Sequence, residues 1–163
     1  MEIRRSTEKD FEQIMEIYRY AREFMAKTGN PNQWGPTNWP PEQLIHSDIS
    51  SGTSYVCVHE EKIVGTFFYT YGENAEPGYE RIEEGNWLNN DAYGVVHRIA
   101  GNGSVKGIGK FCLEWAYQQC GHLRIDTHAD NKPMQHVVEK AGFSKRGIIY
   151  VADGTPRIAY DRI

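Results

Sequence analysis

The chain has 163 residues, 39% of them hydrophobic and 25% charged, with a net charge of −4. That is the composition of one soluble globular domain, residues 1–163, long enough to bury a core. An acidic balance argues against nucleic acid, whose phosphates want a basic surface, and no run of residues reaches the apolar length of a membrane helix. Glu2, Arg4 and Arg5 spoil a signal peptide, and Cys57, Cys112 and Cys120 lack a CxxC spacing, so a cytoplasmic protein with reduced thiols is expected.

Met1 to Arg5 alternate apolar and charged residues, as a first strand does. Phe11, Ile14, Met15, Ile17, Tyr18, Ala21 and Met25 recur at helical spacing, so residues 8–27 read as an amphipathic helix. Thr7 and Asp10 form its capping pair, and Gly29-Asn30-Pro31 ends it. Residues 29–41 are a loop by composition, whose Trp34 and Trp39 either line a substrate cleft or plug the core beside the helix. Pro41 opens a short second helix running to about Ser50. Tyr55–His59 and Ile63–Thr70 are β-prone runs joined by the short turn Glu60-Glu61-Lys62, which predicts a hairpin. Residues 72–91 have no readable period: Tyr79, Ile82 and Trp87 pack or meet a substrate, while Glu83 and Glu84 read as solvated.

The run from Ala92 to Gly101 is a strand, and the glycine-rich stretch Asn102–Lys110 leads from it straight into the helical pattern Phe111–Cys120. Glycine lets a backbone turn tightly and come close to a ligand, and a helix start offers unpaired N–H groups and a positive dipole end. A pyrophosphate-bearing cofactor is therefore expected at this turn. Asn102-Gly103-Ser104, within it, is a chance glycosylation sequon. Leu123–Thr127 is a further strand and residues 131–141 a helix closed by Gly142. Phe143–Val151 and Arg157–Ile163 are strands around an Asp153-Gly154 turn. Hairpins first and βαβ crossovers later predict an α/β fold with a mixed sheet of about seven strands flanked by about four helices.

Two standard readings of a glycine turn fail here. A P-loop needs GxxxxGK and then Ser or Thr, but Gly109-Lys110 is followed by Phe111, and Ser104 stands where the first glycine belongs. A GxGxxG fingerprint would need glycine at Cys112 or at Lys106.

The chain resembles the GNAT superfamily of N-acetyltransferases over nearly its whole length. The family signature is Gln or Arg, two residues, Gly, one residue, then Gly or Ala, between the fourth strand and the third helix. Ser104-Val105-Lys106-Gly107-Ile108-Gly109 matches at both glycines and departs at its first position. Asn131 after the fifth strand and Gly142-Phe143 after the next helix match a second landmark, and the Asp-Gly hairpin at the end agrees. The resemblance implies a GNAT-like acyl-CoA N-acyltransferase fold, acetyl-CoA as cosubstrate and no metal. It implies that the backbone of Ile99 and Ala100 pairs with the pantetheine arm as an added strand. The turn holding Ser104, Lys106, Gly107, Ile108, Gly109 and Lys110 would cradle the pyrophosphate, Lys106 and Lys110 adding charge. Asn131 would hydrogen-bond the arm and Met134 would pack on it. Ser104 removes the long donor of the family's Gln or Arg.

Acyl transfer to an amine requires a base for the ammonium, a donor for the oxyanion and a proton for the departing thiolate. The resemblance assigns the oxyanion donor to the Ile99 backbone N–H. His97 on the central strand and His128 at the end of the next are the base candidates, although each also reads as a histidine that merely packs. His97 and Arg98 are neighbours on a strand and cannot both face the cleft without a bulge. The family's thiolate acid is a Tyr four residues before the Gly-Phe pair, where this chain has Val138; Tyr150, Tyr160 or water would have to substitute. His136 reads as surface, and His128 with Asp130 lacks further metal ligands. The expected partner is a small-molecule amine, or a peptide or protein amine, with no nucleic acid or membrane, and the family's frequent homodimer is carried over as an expectation. A non-catalytic acyl-CoA-binding or sensing module of the same fold is the alternative, suggested by Val138 and Ser104.

Overall fold

Seven strands form one sheet in the order β1-β2-β3-β4-β5-β7-β6, and the computed structural model describes all 163 residues. The strands are β1 (Glu2–Arg5), β2 (Ser54–His59), β3 (Lys62–Gly72), β4 (Tyr93–Gly101), β5 (Leu123–Thr127), β6 (Ser144–Tyr150) and β7 (Pro156–Arg162). Four helices accompany them: α1 (Phe11–Lys27), α2 (Glu42–Ser50), α3 (Ile108–Cys120) and α4 (Lys132–Lys140). Every neighbouring pair is antiparallel except β4 with β5, so the mixed sheet expected from hairpins followed by crossovers is present.

Side chains alternate across each strand, which sorts the core by face. Tyr55, Cys57 and Val96 point to the side where α3 and α4 pack, with Cys112, Leu113 and Val138. Val56 and Ala100 point to the other side, under α1 and Ile45 of α2. The rest of that second face has no helix over it. The segment between β3 and β4 covers it instead, its Tyr79 packing with Tyr93, Val95, Ile149 and Ala159 and with Ile82 and Trp87 at the margin. All three of these residues, Tyr79, Ile82 and Trp87, pack against the sheet. The same segment reaches the sheet's far edge: the Glu83 N–H donates to the Ile148 carbonyl at 2.9 Å and Ile148 returns the bond at 2.8 Å. An otherwise bare edge strand is thereby covered.

Local differences from the sequence expectation have local causes. Residues Glu8–Asp10 form a 3-10 turn before α1, because the Asp10 carboxylate accepts the Thr7 N–H at 2.7 Å and is gripped by Arg4 at 2.8 Å. Trp34 is buried edge-on against Tyr18, ring centres 5.8 Å apart, while Trp39 lies at the surface. The two tryptophans thus divide, one plugging the core and one exposed. α3 starts at Ile108, a turn earlier than the apolar period suggests, since Gly107 at φ 82 ends the loop in the left-handed region open to glycine. The β2–β3 turn has Glu60 and Glu61 both at positive φ, 49 and 66, the I′ geometry that matches strand twist. No helix is long and apolar enough to cross a membrane.

Candidate functional site

β4 and β5 run side by side for only two pairs, Gly94 with Leu123 and Val95 with Arg124. Beyond them β5 stays with β7 as far as Thr127, while β4 stays with β3 as far as Gly101. The cause of the parting is a bulge. Phe68 pairs with His97 and Thr66 with Ala100, so Arg98 and Ile99 together face the single residue Phe67. An extra residue bends a strand and tightens its twist. Arg98 carries the bend at φ 52, a left-handed conformation costly for any residue with a Cβ.

The parted stretch leaves one β4 edge without a strand beside it. The Asn102 N–H donates to the Val64 carbonyl at 2.9 Å, and peptide groups alternate sides along an antiparallel strand. Ala100 therefore turns its peptide groups to β3, while Gly101 turns its own, and Ile99 its carbonyl, to the open edge. The backbone pairing expected of Ile99 and Ala100 belongs by geometry to Ile99 and Gly101.

That edge runs directly into the glycine turn. Asn102 Oδ1 accepts both the backbone N–H of Ser104, at 3.0 Å, and its hydroxyl, at 2.6 Å. Ser104 thus spends both donors inside the turn, a correction to its expected place among the ligand-holding groups. Tyr20 lies against Gly103, where a Cβ would stand 2.2 Å from its hydroxyl oxygen. Space over Gly107 is open, with no atom within 4 Å of where a Cβ would be. The N–H groups of Lys106, Gly107, Ile108, Gly109 and Lys110 have no acceptor in the protein, and both lysines are exposed. Free donors at the positive end of a 13-residue helix, with open space above them, fit a pyrophosphate.

Across the parting, Asn131 caps α4, its Oδ1 accepting the Met134 N–H at 3.1 Å. Its Nδ2 donates to Gln33 Oε1 at 2.9 Å, and the same oxygen accepts from Asn30 at 2.8 Å. The 29–41 loop is thereby tied to α4. Met134 lies half-buried against the α3 core.

On the α1 and α2 face of β4, the bulge allows His97 and Arg98 to point the same way, both lying against Phe68. His97 Nε2 is 2.8 Å from Glu76 Oε1, and its Nδ1 is 3.9 Å from Asp126 Oδ2. A carboxylate accepts, so Nε2 carries a proton, and in the neutral ring Nδ1 then holds the lone pair. This hydrogen bond holds the Glu76 carboxyl below its usual range. The Tyr79 hydroxyl donates to Asp126 at 2.6 Å, and burial followed by that carboxylate pushes its pKa well up. Arg98 grips Asp48 of α2 at 2.8 Å; burial still pushes the Asp48 carboxyl up against that pull.

His128 is placed differently. Its Nδ1 accepts the Asp130 N–H at 3.0 Å, so Nε2 bears the proton and the neutral ring has no free lone pair for a base. Burial lowers its pKa. Tyr150 stands on β6, three strands from β4, beneath Arg81. Tyr160 is wholly buried on β7, in the cluster under α3 and α4, and burial with nearby Glu139 pushes its hydroxyl up to about 12. Val138 is sealed in that same core, and His136 is exposed. No group of three or more His, Cys, Asp or Glu is placed to hold a metal ion.

Glu76, Asp126, Gln33, Tyr18 and Asp48 were not legible as site residues. The weak signals were Glu76 before a Pro-Gly turn, which it caps at Gly78, and the lone carboxylate of Asp126 within β5.

No family model and no curated protein matches the sequence. Solved structures do. An acetyltransferase of the GNAT family from Streptococcus agalactiae is 30% identical, with a TM-score of 0.90 over 99% of this chain and 94% of that one. A GNAT-family acetyltransferase from Listeria monocytogenes is 17% identical, with a TM-score of 0.71 over 99% and 93%. A ribosomal-protein-alanine N-acetyltransferase from Brucella melitensis is 18% identical, with a TM-score of 0.67 over 100% and 99%. The latter two share the fold.

Proposed function

Because the chain belongs to the GNAT family of acetyltransferases, we propose that it moves an acetyl group from acetyl-CoA to the primary amine of a small molecule, peptide or protein. The observation that carries this is the continuity between the open β4 edge and the glycine turn. A pantetheine arm needs a row of unpaired peptide groups, and Ile99 and Gly101 offer one. A pyrophosphate needs convergent donors, and the N–H groups from Lys106 to Lys110 supply them immediately downstream. Lys106 and Lys110 add charge from the exposed side of the turn, and Asn131 and Met134 lie across the opening.

Bound acetyl-CoA supplies a thioester, an acyl group activated toward amines. The protein's part is to place the amine and to take its proton. His97 is suited to that task because Glu76 fixes its tautomer and leaves the Nδ1 lone pair free. A proton arriving at Nδ1 makes an imidazolium between Glu76 and Asp126, which two carboxylates stabilise. The Ile99 N–H is the donor suited to the thioester carbonyl as it gathers negative charge.

The test is calorimetric titration with acetyl-CoA of wild type and of a folded Gly107→Trp variant, then an amine panel. Binding on the order of micromolar, abolished in the variant, is the expected result. No binding by folded wild type would sink the proposal. Tight binding without turnover on any amine would favour an acyl-CoA-binding or sensing module, a reading that the sealed Val138 and the distant Tyr150 support.

A further inference from the structure

We infer that Tyr18 of α1, together with the Asp48–Arg98 ion pair, positions the Ile99 N–H for the acyl carbonyl; the inference rests on the acetyl-transfer reading above. The Tyr18 hydroxyl donates to the Arg98 carbonyl at 2.8 Å. That carbonyl and the Ile99 N–H belong to one peptide group, and a trans peptide is planar with the two pointing oppositely. Holding the oxygen toward α1 therefore aims the hydrogen away from α1. A hydrogen bond made on one side of the strand sets the direction of a donor on the other.

The peptide needs holding because Arg98 occupies the left-handed region at φ 52, where a residue with a Cβ does not rest unaided. Two further contacts oppose its relaxation. The guanidinium donates to Asp48 Oδ2 through Nε at 3.1 Å and Nη2 at 2.8 Å, and it lies over the Phe68 ring at 4.6 Å. All of this is sheltered: Tyr18 is 2% exposed, and burial of its phenol keeps the proton in place to donate. Trp34 packs edge-on against Tyr18 and holds the ring. Tyr18 and Asp48 touch neither the open edge nor the glycine turn in any of these contacts, so they act through the peptide rather than on the reactants.

The decisive readout is the infrared carbonyl band of bound acetyl-CoA labelled with carbon-13 at the acetyl carbonyl. A hydrogen bond to that oxygen moves the band to lower wavenumber, with no acceptor amine required. Wild type is expected to lower the band. Tyr18→Phe, which removes only the hydroxyl, is expected to return it toward the free value with acetyl-CoA affinity within about threefold. With an active amine, the same variant should lose on the order of 10- to 100-fold in kcat with KM little changed, as for a misaligned oxyanion donor. A merely structural Tyr18 would lower the melting temperature and leave the band in place, and that result overturns the inference. So does a wild-type band no lower than that of free acetyl-CoA, which leaves the functional reading intact. Failure of folded wild type to bind acetyl-CoA overturns the functional reading and this inference with it. Should Tyr18→Phe not fold, Asp48→Asn is measured the same way: a smaller return of the band supports the inference, and an unmoved band overturns it.

Discussion

The first residues of β4, Tyr93 to Val95, have strands on both sides or a full cover of packed side chains, whereas the stretch from Val96 to Gly101 has only β3 beside it. Within one strand, the first part satisfies its peptide groups and buries its side chains. The second part is bulged, carries a left-handed arginine and exposes polar groups along an edge. Burial and pairing stabilise a strand but leave nothing to offer a ligand. The difference teaches that the paired part anchors a frame from which the unpaired part is held open, its conformation maintained from outside by α1 and α2.

Substitutions should separate these two tasks. The largest effect is expected in the open part: His97→Gln should lower kcat on the active amine by roughly 10²- to 10⁴-fold, as loss of a general base does, while the melting temperature stays within a few degrees. Rate retained in folded His97→Gln would remove His97 as the base. In the paired part, Leu123→Ala empties a site with no exposure beside Gly94 and should cost about 2–5 kcal/mol. Denaturant unfolding measures that loss, and the surviving folded fraction should bind acetyl-CoA as wild type does. Weakened binding by folded Leu123→Ala would show that the two parts are not separable.

A smaller change sharpens the same contrast. Gly94→Ala would bring a methyl group within 2.8 Å of the Cys120 sulfur and 2.9 Å of the Tyr69 ring, overpacking that should cost about 1–3 kcal/mol. Chemical denaturation of the pure variant measures it, and unchanged stability would mean that the paired part is looser than its packing indicates.

The smallest effect concerns pH. Burial lowers the pKa of His122, next to the paired residues, and of His128. Below about pH 6.5 the unfolded chain binds protons that the folded chain refuses, so stability rises with pH across the interval beneath that value and falls on acidification. Glu76, lowered by its bond to His97, adds a second loss as pH falls below 4.5. His122→Gln should flatten the upper limb in denaturant midpoints measured against pH, and an unaltered slope would refute its assignment to His122.

Much of the molecule was readable along the chain because the signals are local. Helix and strand periods put most element ends within a few residues, and the glycine stretch located a helix start that does present free N–H groups. The segment 72–91 was unreadable for a physical reason: it forms no regular element beyond one short turn and is ordered by the sheet face it covers. His97 was named as a base candidate, but the groups that define its tautomer and surroundings were not. His128 was named beside it, and their partners separate the two: the Glu76 carboxylate for His97 and the Asp130 N–H for His128. Ser104 and Asn131 were assigned to a ligand, yet the N–H and hydroxyl of Ser104 are spent on Asn102, and one of the two amide hydrogens of Asn131 is taken by Gln33.

The amino-acid order by itself determined the sequence of strands and helices and the turn that ends at Gly107, because periodicity, capping and positive φ depend on residues that are neighbours in the chain. Tertiary structure decided how far β4 and β5 stay paired, which side His97 and Arg98 face, and what holds each of them. Glu76 reaches His97 from 21 residues away, Tyr18 reaches Arg98 from 80 and Gln33 reaches Asn131 from 98. Contacts at such separations carry no local pattern; they exist only once the core has packed and brought those side chains together.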